Sequence, residues 1–238
     1  MKKMLMLVTL LMSVFVIKAQ EKQSFVLNVG DFTQLSVIDN INVVYECNSD
    51  STGYAKFTAV TDMANQMIFS NNKKGKLSIS VGTDSVYNAN LPTIVVYSSF
   101  LQSAENFGDS TLHVKSIAPA HDVRFKLVDN GSIVIDKVEA VDLTVEILTG
   151  KGLISVGGKC TDLSVKNTGK GTIKAENLLA ENVNCRIVGT GKVYCNVNGG
   201  SLMLKGTGTG KLYYKGKPSS IKQRQLGTLK AINIEEEK

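Results

Sequence analysis

The sequence predicts an all-β protein: a right-handed parallel β-helix with coils of about 20 residues, preceded by a less regular β N-terminal half. Three observations carry this expectation. Val123, Leu143, Leu163, Val183, Leu202 and Ile221 follow one another at steps of 20, 20, 20, 19 and 19 residues. Gly131, Gly152, Gly171, Gly191 and Gly210 keep a second register between them, at steps of 21, 19, 20 and 19. Between these markers apolar and polar residues alternate, as strands with one inward face do.

Taken in order, the chain divides into four stretches. Residues 1–19 read as a secretory signal peptide: Lys2 and Lys3, an apolar run from Met4 to Ile17, and a small residue, Ala19, before Gln20. That run is too short for a stable membrane span, which takes about 20 residues. Residues 20–100 form the irregular β half. Its strand-like runs include Leu35-Ser36-Val37, Ile41 to Tyr45, Lys56 to Val60, Leu77 to Val81 and Thr93 to Tyr97. Thr61 to Gln66 alone suggests a helical turn, with Thr61 or Asp62 to cap it, and Asp84 to Asn90 reads as a surface loop. Residues 101–232 are the repeat, and residues 233–238 are an acidic tail.

Within a repeat, one strand places Val123, Phe125 and Leu127 on one side and Arg124 and Lys126 on the other. The next copies read Leu143, Val145, Ile147; Leu163, Val165; Val183, Cys185, Ile187; and Leu202, Leu204. After a glycine turn comes a second strand, as in Val193-Tyr194-Cys195 and Leu212-Tyr213-Tyr214. Constant spacing fits a β-helix or an up-and-down meander, and the recurrence of like residues favours the β-helix, where they stack on one another. The glycines are expected to give the turns their positive φ. No coil buries enough to stand alone, so the stack needs several, with the N-terminal half closing one end and Ile221 to Ile234 the other.

Charge and cysteine usage exclude some classes. Without residues 1–19 the chain holds 24 basic and 21 acidic residues, a net +3, which gives no argument for nucleic acid as a partner. Cys47, Cys160, Cys185 and Cys195 show neither CxxC nor zinc spacing, and Cys185 and Cys195 on consecutive inward phases read as buried free thiols rather than a bridge. No metal or other cofactor is expected. Gly206 to Lys211 lacks the helix a phosphate loop requires and reads as a turn. Asp122, Asp142 and Asp162 stack one coil apart; their column continues as Asn182, Ser201 and Ser220, so turn capping is expected rather than calcium. His113 and His121 have no nucleophile at motif spacing, so no catalytic residue is nominated.

Candidate binding residues lie on the outward phase. Tyr194 and Tyr213 fall on successive second strands, where paired tyrosines form a sugar platform or a cross-strand ladder. Lys192 and Lys211, with Lys151 and Lys170, make a basic stripe at the glycine edge, suited to an anionic partner or to a solvated rim.

With Asn130-Gly131-Ser132-Ile133, Gly150-Lys151-Gly152, Gly169-Lys170-Gly171, Gly189 to Tyr194, Gly206 to Tyr214 and the opening Ile41-Asn42-Val43-Val44-Tyr45, the chain resembles the putative auto-transporter adhesin head GIN domain family (DUF2807) over about residues 32–232. Lysine stands where that family often has an acidic turn residue. The resemblance implies an exported bacterial protein with a parallel β-helix, and it supplies no catalytic residues. The expectation is therefore a non-enzymatic cell-envelope or surface protein that binds a glycan or a surface protein along its β-helix face. The alternative is a polysaccharide-acting β-helix enzyme.

Overall fold

The structure, a computed structural model, describes residues 21–82 and 91–235. The expected signal peptide, the expected loop at 84–90 and the end of the acidic tail, Glu236 and Glu237, lie outside the described residues. The N-terminal elements are β1 (Gln23–Asn28), β2 (Gln34–Val37), β3 (Val43–Cys47), β4 (Tyr54–Ala59), α1 (Thr61–Ala64), β5 (Met67–Asn71), β6 (Lys76–Val81) and β7 (Ile94–Ser98). The repeat supplies β8 (Ser103–Asn106), β9 (Thr111–Val114), β10 (Ala120–Leu127), β11 (Ser132–Ile147), β12 (Leu153–Gly169) and β13 (Thr172–Gly189). It ends with β14 (Lys192–Val197), β15 (Ser201–Gly208), β16 (Lys211–Lys215), β17 (Ser220–Gly227) and β18 (Lys230–Asn233).

The chain winds as a parallel β-solenoid of about seven turns. Val123 lies opposite Leu143, Leu143 opposite Leu163, Leu163 opposite Val183, Val183 opposite Leu202, and Leu202 opposite Ile221. The stacking of like on like thus decides against a meander. β11, β12 and β13 each run along one face, turn a corner at a register shift and continue as the first strand of the next coil. A short third face follows the corner, where Ala140, Cys160 and Ala180 align and point small side chains inward. Inward positions fill one continuous core from Phe32 to Leu229.

The N-terminal strands enter the same ladders, but out of chain order. β2 lies between β6 and β8, and β3 between β7 and β9, all parallel. The chain thus lays down one rung, hops beyond it to build the next, and returns across it to begin the regular coils. Antiparallel strands close this end: β5 covers β6, while β4 pairs with β7 and β1 pairs with β4. Phe25 stacks on Phe57 and Phe57 on Phe69, with ring centroids 5.3 and 6.0 Å apart. The helical turn falls where the sequence placed it, but Val60 caps it and no side-chain capping bond forms. At the other end Leu229 is buried, whereas every residue of β17 is exposed.

One expectation about the turns is corrected. Positive φ belongs to Gly150, Gly169, Gly189 and Gly208, two residues ahead of the glycines marked in the sequence. Gly171 has no such conformation; it is glycine because a Cβ there would come within 2.8 Å of the Ile147 side chain in the coil below. In the first regular turn Asp129 takes the left-handed place at φ 89°, a role that aspartate fills more readily than most residues.

Candidate functional site

The four residues singled out in the sequence come together on one face of two neighbouring rungs. Lys192 opens β14 and Lys211 opens β16, and the parallel pairing sets Lys192 beside Lys211 and Tyr194 beside Tyr213. Period-two alternation points all four outward, between the buried Val193 and Cys195 of one rung and the buried Leu212 and Tyr214 of the next. The phenol rings lie 4.8 Å apart and 13° from parallel. That separation is the strand spacing, so each ring covers one face of the other and strengthens the ladder. What the pair offers to solvent is its ring edges and hydroxyls. The lysines are exposed and the tyrosines half-buried. Lys151 and Lys170 do not share the lysine column: Lys192 lies opposite Thr172, which places Lys170 two residues earlier, in the turn itself.

Surface hollows lie elsewhere on the solenoid. A groove of about 380 Å³ crosses the first-strand face, lined by Thr144, Ser164, Asn184 and Met203 in successive rungs, with Lys205 at one end. A second, of about 710 Å³, follows the third face past the exposed Val141 and Leu179. A third, of about 350 Å³, lies at the N-terminal end among Ile38, Leu91 and Phe107. The alternation identifies the first groove's residues as outward, but only the three-sided coil shows that they line a hollow.

The aspartate column forms as the spacing requires, Asp122 beside Asp142 and Asp142 beside Asp162. Asn182, the next member, does cap a turn: its Oδ1 accepts from the Ser201 backbone N–H at 2.9 Å. Asp122 and Asp142 instead face His121, whose Nδ1 lies 2.9 and 3.7 Å from their carboxylate oxygens. Together these three offer one imidazole and two carboxylates within 4.8 Å of one another, on largely exposed side chains where water competes for any cation. His113 bonds Asp136 at 2.7 Å, also at the surface.

The thiols are poorly placed for nucleophilic chemistry. Cys47, Cys160, Cys185 and Cys195 are all free. Burial, reinforced by the charges of Asp162 and Asp142, pushes the Cys160 thiol up to about 12. Burial does the same for Cys195, and lifts Cys185 well above its ordinary value with help from its neighbour Cys195. A thiol held neutral in this way is a packing group. Among the described residues, no helix is long and apolar enough to cross a membrane.

The profile of one sequence family, described as "Putative auto-transporter adhesin, head GIN domain", matches residues 31–218. The chain belongs to that family. The GIN-domain match spans the out-of-order N-terminal rungs as well as the regular coils. Solved structures agree with the fold. A putative adhesin from Bacteroides fragilis NCTC 9343 aligns at TM-score 0.75 and 19% identity, over 91% of this chain and 98% of that one. A putative adhesin from Parabacteroides merdae ATCC 43184 gives 0.73 and 17%, over 90% and 96%. A structure described as a putative lipid binding protein from Parabacteroides distasonis ATCC 8503 gives 0.70 and 17%, over 90% and 96%. No curated protein matches the chain. Membership in the GIN-domain family marks this solenoid as an adhesin-like protein.

Proposed function

We propose that this GIN-domain protein is an exported, non-enzymatic component of the cell envelope or surface that binds a glycan or a surface protein along the outward faces of its solenoid. The observation that carries the reading is the face on which Lys192, Tyr194, Lys211 and Tyr213 stand in register on two neighbouring rungs. Such a face repeats its chemistry at the strand spacing and needs no rearrangement to meet an extended partner. Lysine ammonium groups and phenol hydroxyls together donate and accept the hydrogen bonds that sugar hydroxyls, carboxylates and peptide groups use. Adhesin-like family membership and the expected signal peptide support export.

A glycan array probed with the full chain tests the reading, followed by incubation of every hit with the protein and analysis of the products. Binding without turnover is expected, weakened by the Tyr194→Ala and Tyr213→Ala pair. Release of new reducing ends or of unsaturated sugars would sink the binding-only reading in favour of a polysaccharide-acting enzyme.

A further inference from the structure

We infer that the last three coils form a ridge that binds an acidic polysaccharide, held by Arg186, Lys205 and Arg224 on one flank and Lys192, Lys211 and Lys230 on the other. This rests on the surface-binding reading above and names its ligand class.

The argument begins with charge. Residues 21–181 carry 14 basic and 18 acidic side chains, whereas residues 182–230 carry nine basic and no acidic ones. Near-neutrality of the whole chain conceals a strongly cationic end. One outward column of the first-strand face shows the change rung by rung. It runs Glu105, Lys126, Glu146, Lys166, with Lys126 paired to Glu105 at 3.5 Å and Lys166 paired to Glu146. The same column then continues Arg186, Lys205, Arg224. Adjacent rungs are about 4.8 Å apart, and like charges directly opposite destabilise a ladder. The upstream rungs demonstrate that alternating signs fit this column, so the fold does not impose three cations in a row.

A second column repeats the pattern across the turn. Lys192, Lys211 and Lys230 lie in register on β14, β16 and β18. Both columns flank one crest, since Arg186 precedes and Lys192 follows the turn Gly189-Thr190-Gly191. Among the described residues, none of the six cations lies within ion-pair distance of a carboxylate. Within residues 182–230 no carboxylate balances them.

The surroundings select the kind of anion. Thr190, Thr209 and Thr228 stand exposed along the crest, each with its backbone N–H bonded to the glycine carbonyl of the rung before. A hydroxyl crest hydrogen-bonds to sugars; a membrane surface calls for protruding apolar side chains beside the cations in rung after rung, whereas here Leu226 protrudes beside Arg224 on the last rung and its ladder partner on the rung before is Thr207. Single-stranded nucleic acid calls for free aromatic faces, and Tyr194 and Tyr213 stack on each other in a ladder flanked by Lys174 on one side and Ile232 on the other. Arginine guanidinium groups suit carboxylate and sulfate oxygens in pairs, and an extended polymer with an anion on each unit meets several rungs at once.

The test titrates the full chain with dextran sulfate, polygalacturonate and neutral dextran by calorimetry. The acidic polymers are expected to bind, with affinity falling about tenfold or more between about 50 and about 300 mM NaCl, and dextran to bind at least about tenfold more weakly. The Lys205→Glu/Lys211→Glu pair should lower affinity by about tenfold or more while the melting temperature holds or rises, because each new glutamate sits between two cations. A Lys205→Gln/Lys211→Gln pair should weaken binding less, and Lys73→Glu/Lys74→Glu, at the far end, by under about twofold. Equal binding of dextran, indifference to salt or to the charge reversals, or tighter binding to single-stranded DNA or phosphatidylglycerol vesicles overturns the inference. Binding confined to neutral glycans overturns it and leaves the surface-binding reading standing, whereas silence toward every glycan overturns it together with the glycan arm of that reading.

Discussion

At the residue scale, position within the coil decides chemistry more than residue type does. Tyr194 and Tyr214 belong to adjacent coils, yet one points out and is half-buried while the other is part of the core. The cysteines give the same lesson with a measurable consequence. Folding lifts the thiols of Cys160 and Cys195 to about 12, and that of Cys185 well above its ordinary value, because burial disfavours the thiolate. In the unfolded chain a thiol loses its proton near pH 8.5. The folded state therefore holds protons that the unfolded state has released. The stability that goes with this is complete below about pH 8.5 and drains as pH rises toward the folded values. Melting followed by circular dichroism from pH 7 to 10.5 is expected to show this fall, and the Cys185→Ala/Cys195→Ala pair to flatten it. Native protein should take up iodoacetamide only at Cys47, which alone among the four is partly exposed; alkylation of Cys185 in the native protein would contradict the burial.

At the scale of the element, each rung is a strand, a turn and a strand whose length is fixed by its neighbours. This is why the 19–20-residue spacing was legible: a residue added within a strand would throw the side chains beyond it onto the wrong face, so the one-residue differences between coils fall in the turns and corners. The turn's internal geometry was less legible. Positive φ falls two residues ahead of the glycines that mark the period, since the later glycines answer to the coil below rather than to their own backbone. Asn167 was missed for a similar reason. It occupies an inward position in the column of Leu127, Ile147 and Ile187, and alternation alone reads such a polar residue as an interruption. In the structure its Nδ2 donates to the carbonyls of Gly171 and Lys192 at 2.8 and 3.2 Å, tying one turn to the next rung, and its Oδ1 is buried without a partner. A Cβ on Gly191 would come within 2.5 Å of that amide. Asn106 does the same work at the first turn, donating to Ser110 and Ser132. Asn167→Asp keeps the shape, loses both donations and buries a carboxyl, so it should cost about 3 kcal/mol or more. Asn167→Leu matches its column neighbours and removes the orphaned oxygen, so it should fall within about 1 kcal/mol of the parent. Equal urea midpoints for the two variants would refute this account of the amide.

At the scale of the whole molecule, two kinds of connectivity share one solenoid. From β10 onward each rung rests on the rung about 20 residues before it. At the N-terminal end, β2 pairs with strands beginning 42 and 69 residues later in the chain. Sequence periodicity exposes only the first kind, because the inserted rung is set by distant partners and leaves no regular interval. The charged ridge was half legible for a related reason: Lys192 and Lys211 stand out as a stripe, but the column Arg186, Lys205, Arg224 emerges only when strands of slightly unequal spacing are put in register. The two regions should therefore differ in their tolerance of deletion. Solenoid stability is close to a sum over rungs and their nearest-neighbour interfaces. Removing residues 163–182 joins Asp162 to Val183 with the phase kept, so every remaining rung still meets a rung of its own kind. That variant should fold cooperatively, with a melting temperature a few degrees lower and a urea m-value smaller by roughly a tenth, in proportion to the surface lost. Removing residues 34–53 takes a similar length of chain. It deletes the β2–β3 rung on which β6, β7, β8 and β9 all pair, and so separates the antiparallel cap from the coils. Exposed inward faces and unpaired edges should then drive this variant to aggregate. Size-exclusion chromatography and urea unfolding of the two variants side by side check the contrast, and equal tolerance of both deletions would mean that the inserted rung is no more than one coil among equals.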